Sequence, residues 1–188
     1  MITFTTPKLL EKGITTVQME VTALEAGKSV MNLLAREGLN TDEAQPFTVS
    51  ISAFDQNNEL VAVIGTVSGV YHKETCNLVL DKEFEDSKQI LYLDMLYIEK
   101  EYEECGVATN VLELLPKLIN AELNAVVDAI MIAIVPLRKN DDGQIVQMEM
   151  NTEFFIKLHM SIKFYSKRGF ALCELPFLLG KKVKKSDT

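Results

Sequence analysis

Two apolar runs constrain this chain most. They are ILYLDMLYI, from Ile90 to Ile98, and VVDAIMIAIV, from Val126 to Val135. Each is long enough for a strand and too uniformly apolar for a strand with one wet face, so each reads as a buried strand. Between them lie a glycine, Gly106, and a segment with Val107, Val111, Leu114, Leu115 and Leu118 at helical spacing. Strand, helix and strand at this separation predict a βαβ unit with the two strands parallel. Pro116 inside the segment removes one backbone donor and crowds the preceding turn, so a kink or an early helix end is expected.

Further elements follow from similar patterns. TALEAGKSVMNLLAREG predicts a first helix, with Thr22 and Glu25 at capping-box spacing and Gly38 as the stop. PFTVSISAF alternates through Phe47, Val49, Ile51 and Ala53. The turn cluster DQNNE then leads to LVAVIGTVSGVY, which predicts an antiparallel hairpin. RKNDDGQIVQMEM reads as a turn and an added strand. TEFFIKLHMSIKFYSKR reads as a helix capped by Thr152 or Asn151, with Lys167 and Arg168 at its negative end and Gly169 as its stop. FALCEL and LLGKKV predict two last strands. The fold class expected is α/β (α+β): a mixed, mostly antiparallel sheet of about seven strands, one central parallel pair, and helices on both faces. Residues 1–188 suit one domain with a real core.

Composition narrows the function classes. Nineteen Lys and Arg against 27 Asp and Glu give a formal charge of −8, with the acids widely spread. That balance argues against nucleic acid or an anionic membrane as the main partner, and leans toward a cationic substrate. Neither a signal sequence nor a run long enough to span a bilayer is visible. Cys76, Cys105 and Cys173 have neither zinc nor disulfide spacing, and a reducing cytoplasm is the expected setting.

The chemistry concentrates in EKEYEECGVATNVLELL, from Glu99 to Leu115. A glycine turn entering a helix exposes backbone N–H groups to an anion, and Cys105, Gly106, Val107, Ala108 and Thr109 supply them here. Glu99, Glu101, Glu103 and Glu104 surround that turn with only Lys100 opposing them. Some sixty residues later comes FYSKRGF, from Phe164 to Phe170.

Together these two segments resemble the GNAT superfamily of acetyl-CoA-dependent N-acyltransferases. The residues Glu103-Glu104-Cys105-Gly106-Val107-Ala108 align with its Arg/Gln-x-x-Gly-x-Gly/Ala loop, with Glu103 at the Arg/Gln position. FYSKRGF matches its FYEKLGF. The motifs cover the chain from about Ile90 onward, and the earlier elements agree in order only.

The resemblance implies acetyl-CoA as co-substrate and direct acetyl transfer to a primary amine. It implies that Leu96, Tyr97 and Ile98 pair with the pantetheine arm, with the Ile98 N–H polarising the thioester carbonyl. It implies that Glu104 to Thr109 cradle the pyrophosphate, with Glu103 beside them. Tyr165 aligns with the tyrosine that protonates the departing thiolate. A phenol is a weaker acid than a thiol by about 1.5 units, so it keeps its proton to donate.

Asp94 interrupts an apolar strand and is the first candidate for the base that neutralises the amine; Glu99 is the second. His72 and His159 read as structural. The alternative is a catalytically impaired relative that binds without turning over, suggested by the acidic loop and by Leu158 at a position where the family often has Asn. The strand near Gln144 offers an edge for a homodimer.

Overall fold

The computed structural model describes residues 1–24, 35, 41–73, 87, 89–173 and 178–183. In chain order its elements are β1 (Ile2–Phe4), α1 (Pro7–Leu10), β2 (Thr16–Ala23), β3 (Gln45–Phe54), β4 (Leu60–His72), β5 (Ile90–Ile98), α2 (Val107–Leu123), β6 (Ala129–Ala133), β7 (Leu137–Lys139), β8 (Ile145–Gln147), α3 (Thr152–Ser166), β9 (Ala171–Leu172) and β10 (Leu178–Lys182). Eight strands form one sheet in the order β1-β2-β3-β4-β5-β6-β10-β9, while β7 and β8 form a separate ribbon. Only β5 and β6 run parallel among the paired strands described. This is the mixed, mostly antiparallel architecture that the apolar patterning predicts.

The β3–β4 hairpin forms as expected. Phe47, Val49, Ile51 and Ala53 are fully buried and alternate with half-buried neighbours. Asp55 organises the turn by accepting from the amides of Asn57 (2.8 Å) and Glu59 (2.9 Å). The βαβ unit also forms, and α2 packs against β1, β2 and β5. Its inner face carries Val107, Val111, Leu112, Leu115, Leu118 and Ile119, all buried.

The helix does not end early at Pro116; it runs on to Leu123 and stops at Asn124 in the left-handed region. Leu115, Leu118 and Ile119 bracket the proline and are buried, so packing outweighs the lost backbone bond.

Two expectations need correction. Thr22 does not cap a helix. It lies in β2, where Val17 and Met19 are buried and the chain pairs with both β1 and β3. Farther along that predicted helix Ala35 is helical, and residues 25–34 and 36–38 lie outside the described residues. The turn and added strand expected in RKNDDGQIVQMEM both form, the strand as β8 and apart from the main sheet. The segment folds back as the β7–β8 ribbon, because Asn140 accepts from the amides of Asp142 and Gln144 and Gly143 takes a φ of 76°. Among the described residues of FALCEL, 170–173, Ala171–Leu172 are strand; the LLGKKV strand is present as β10.

The third helix is capped as predicted, with the Asn151 side chain accepting from the Phe154 amide at 3.0 Å. Gly169 follows it at a φ of 82°.

Candidate active site

The site begins with one extra residue. Leu93 in β5 pairs with Gly69 in β4, yet Met95 pairs with Ser68. Asp94 is the residue left over, a β-bulge. Gly69 is required opposite it, since a Cβ there would stand 2.2 Å from the Tyr92 carbonyl oxygen. The parallel pairing of β5 with β6 ends at the same place, with Leu93 opposite Ile132. Beyond it β5 stays with β4 as far as Ile98 and Gly65, while β6 parts from it.

Burial follows this splitting. Ile90 to Leu93 are buried, whereas Asp94 to Tyr97 are only partly so. The run is therefore not buried on both faces throughout.

The splayed edge presents backbone. The Glu99 amide donates to Ile64 O at 2.9 Å, which directs that residue toward β4. Alternate residues in an antiparallel pair turn the other way, so Leu96 and Ile98 face their N–H and C=O groups into the gap left by β6. A cleft of about 540 Å³ opens there. Its lining includes Asp94 through Ile98, Glu103, Glu104, Gly106 through Thr109, the β6 exit from Ile132 to Leu137, Tyr165 and Arg168.

The glycine turn closes one end. After a 3₁₀ turn at Lys100–Tyr102, Glu104 and Gly106 adopt φ of 61° and 81°, and α2 starts at Val107. The buried Thr6 hydroxyl pins the turn by donating to Cys105 O at 2.7 Å. The Cys105 amide is already spent on Tyr102 O at 3.3 Å, and Cys105 is buried outside the cleft lining. The predicted set of amide donors is therefore shorter by one.

The amides of Gly106, Val107, Ala108 and Thr109 have no acceptor among the described residues. They form the positive end of α2. Alanine at Gly106 would fit sterically, with its Cβ 3.4 Å from the nearest atom, but not conformationally. Gly106→Ala is expected to lower the unfolding free energy by about 1 kcal/mol in urea melts and to misdirect these amides.

Tyr165, near the end of α3, is 8% exposed and lies edge-on to Phe164 and Phe170 at ring-centroid separations of 5.1 and 5.4 Å. Tyr165 lines the cleft, and its hydroxyl makes no hydrogen bond among the described residues. Burial pushes its pKa well above the ordinary phenol value, and the nearby Arg168 charge offsets only part of this. Tyr165 therefore holds a proton at any physiological pH.

Asp94 is half-buried and accepts from the Ser68 hydroxyl at 2.6 Å. Glu99, the second base candidate, lies elsewhere. It pairs with Lys139 of the ribbon and lines a smaller hollow of about 270 Å³ with Tyr97 and Ile145. His72 is buried and His159 exposed, and neither lines the cleft.

Arg168 was assigned by sequence only to the end of its own helix. Its Nε and Nη2 donate to Thr109 Oγ1 at 2.9 and 2.6 Å, its Nη1 donates to Phe164 O at 2.8 Å, and its guanidinium covers the Phe164 ring at 3.6 Å. It thus binds the FYSKRGF segment to the first turn of α2. The juxtaposition of arginine with the helix-ending glycine is a weak signal, and nothing in the sequence pairs it with a threonine 59 positions away.

No family model and no curated protein matches this chain. Among solved structures the chain is similar to several. One is AtaTR bound with acetyl-CoA, at 13% identity over 88% of this chain and 92% of that one, with a TM-score of 0.45. Another is AtaT complexed with acetyl-methionyl-tRNAfMet, at 12% identity over 88% and 94%, with a TM-score of 0.45. A third is an acetyltransferase of the GNAT family from Staphylococcus aureus, at 12% identity over 89% and 99%, with a TM-score of 0.41. Among the described residues, no helix is long and apolar enough to cross a membrane and no cluster has the makings of a metal site.

Proposed function

We propose that the chain is an N-acetyltransferase that moves an acetyl group from acetyl-CoA to a primary amine by direct attack. One observation carries this reading: a splayed strand edge, a turn of amides and a tyrosine, the amides and the tyrosine hydroxyl making no hydrogen bond among the described residues, all line one cleft.

The residues present fit the donor. The outward-facing main chain of Leu96 and Ile98 suits an extended arm carrying amides, which would pair with them as an added strand. The amides of Gly106 to Thr109 suit its diphosphate. The thioester supplies an activated acyl carbon. The Ile98 N–H would stabilise negative charge on the carbonyl oxygen. Tyr165 would give its proton to the leaving sulfur, and the raised phenol pKa keeps that proton in place until it is needed. Asp94, oriented by Ser68, would take the proton from the incoming ammonium, directly or through one water.

Thiol release from acetyl-CoA, followed across a panel of polyamines, amino sugars and lysine peptides, tests the reading. Steady release with at least one primary amine is expected. A second reading, a binding protein without turnover, draws on Glu103 and Glu104, two acidic residues that line the cleft beside the turn. Tight acetyl-CoA binding with no release in the presence of any amine would select it.

A further inference from the structure

Glu103 and Glu104 line the end of the cleft where the free amides gather, and Asp94 lines it farther along. A polyanion entering there meets carboxylates as well as amides. The lining also contains two cations, Lys157 and Arg168. Lys157 lies 3.6 Å from Glu153 on its own helix, and both are well exposed. Arg168 has no carboxylate partner among the described residues; two hydrogen bonds to Thr109 hold its guanidinium at the first turn of α2, and the Phe164 carbonyl and ring support it from α3.

The donor count is informative. A guanidinium carries five N–H groups. One each from Nε and Nη2 goes to Thr109 and one from Nη1 goes to Phe164 O. One N–H on each terminal nitrogen remains. Thr109 Oγ1 accepts two of these bonds, so both of its lone pairs are occupied and it has only its own hydrogen left to offer. The pair therefore adds three further donors and one positive charge beside the amides of Gly106 to Thr109. Tyr165, buried and with no hydrogen bond from its hydroxyl among the described residues, lines the same cleft.

We propose that Arg168, braced on Thr109, is the cation that binds the diphosphate of the acyl donor, so that the charge of the cradle comes from the end of α3 and not from the glycine turn. The proposal rests on the acetyl-CoA reading above. It makes Arg168 a specificity residue. It favours donors with a phosphorylated tail over truncated thioesters, and it makes donor affinity sensitive to salt.

The test measures binding of coenzyme A and of pantetheine to the full chain by calorimetry, for wild type, Arg168→Gln, Arg168→Lys and Thr109→Val. Charge-assisted bonds of this kind predict that Arg168→Gln narrows the preference for coenzyme A over pantetheine by about tenfold or more. Arg168→Lys should recover part of that loss by returning the charge without the fork. Thr109→Val should weaken coenzyme A alone, by a smaller factor, and it serves as the decisive variant if Arg168→Gln does not fold. An unchanged preference in folded Arg168→Gln, or in Thr109→Val where that variant decides, would overturn the proposal while leaving the donor site standing. Failure of wild type to bind coenzyme A at all would overturn the donor reading and this proposal together.

Discussion

Tyr165→Phe is expected to lower kcat for acetyl transfer by about a hundredfold, the low end for loss of a positioned general acid. The binding of acetyl-CoA should change little. The hydroxyl has no hydrogen bond to lose among the described residues, and phenylalanine keeps the edge-on contacts to Phe164 and Phe170. Stability should therefore hold, since the substitution breaks no hydrogen bond among the described residues. This combination separates catalysis from structure: a merely structural tyrosine would give an unchanged kcat. Because burial raises its pKa above 10, ionisation of Tyr165 should cause no loss of rate below pH 10. Steady-state kinetics across pH, paired with urea melts, check all three statements.

Gly69→Ala is the substitution with the largest expected effect on the fold. Its Cβ would stand 2.2 Å from Tyr92 O and 3.1 Å from Leu93 Cα, both backbone atoms of the neighbouring strand. A side chain could rotate away from such a contact, but a strand inside a sheet cannot. The β4–β5 ladder must open at the bulge, at a cost of about 3 kcal/mol or more. Gly13→Ala is the control, at a positive φ of 77° with nothing within 4 Å of its Cβ. It should cost only about 1 kcal/mol of left-handed strain. Denaturant melts of the two variants compare a clash with a conformational penalty. Similar losses would mean that the bulge is not the constraint it is taken to be.

The central unit was legible because two apolar runs and a helical stripe leave few alternatives. The N-terminal strand was missed for a definable reason. TVQMEV alternates with period two, but Thr22 and Glu25 offered a capping-box spacing that competed with it. The bulge was half legible. Asp94 stood out as an acid in an apolar run, yet a single unpaired residue leaves no trace in periodicity.

The turn at Gly106 was visible. What was not visible is that Thr6 pins it and that Cys105 spends its amide locally, since both depend on contacts set by the folded chain. The same holds for Arg168. Its local pattern explains a helix end, and only tertiary packing brings it to Thr109.

The acids around the turn raise a question that Glu103→Gln answers in part. Removing that carboxylate should tighten acetyl-CoA binding, as Glu103 lines the same cleft as the free amides.

The most direct measurement is titration of the purified chain with acetyl-CoA by calorimetry, read beside its thermal melt. One molecule should bind per chain. At about a hundred times the dissociation constant, binding adds about 2.7 kcal/mol, a melting rise of roughly 5–10 °C for a chain of this size. Absence of both heat and melting shift at millimolar acetyl-CoA would contradict the assignment of the splayed cleft as an acyl-donor site.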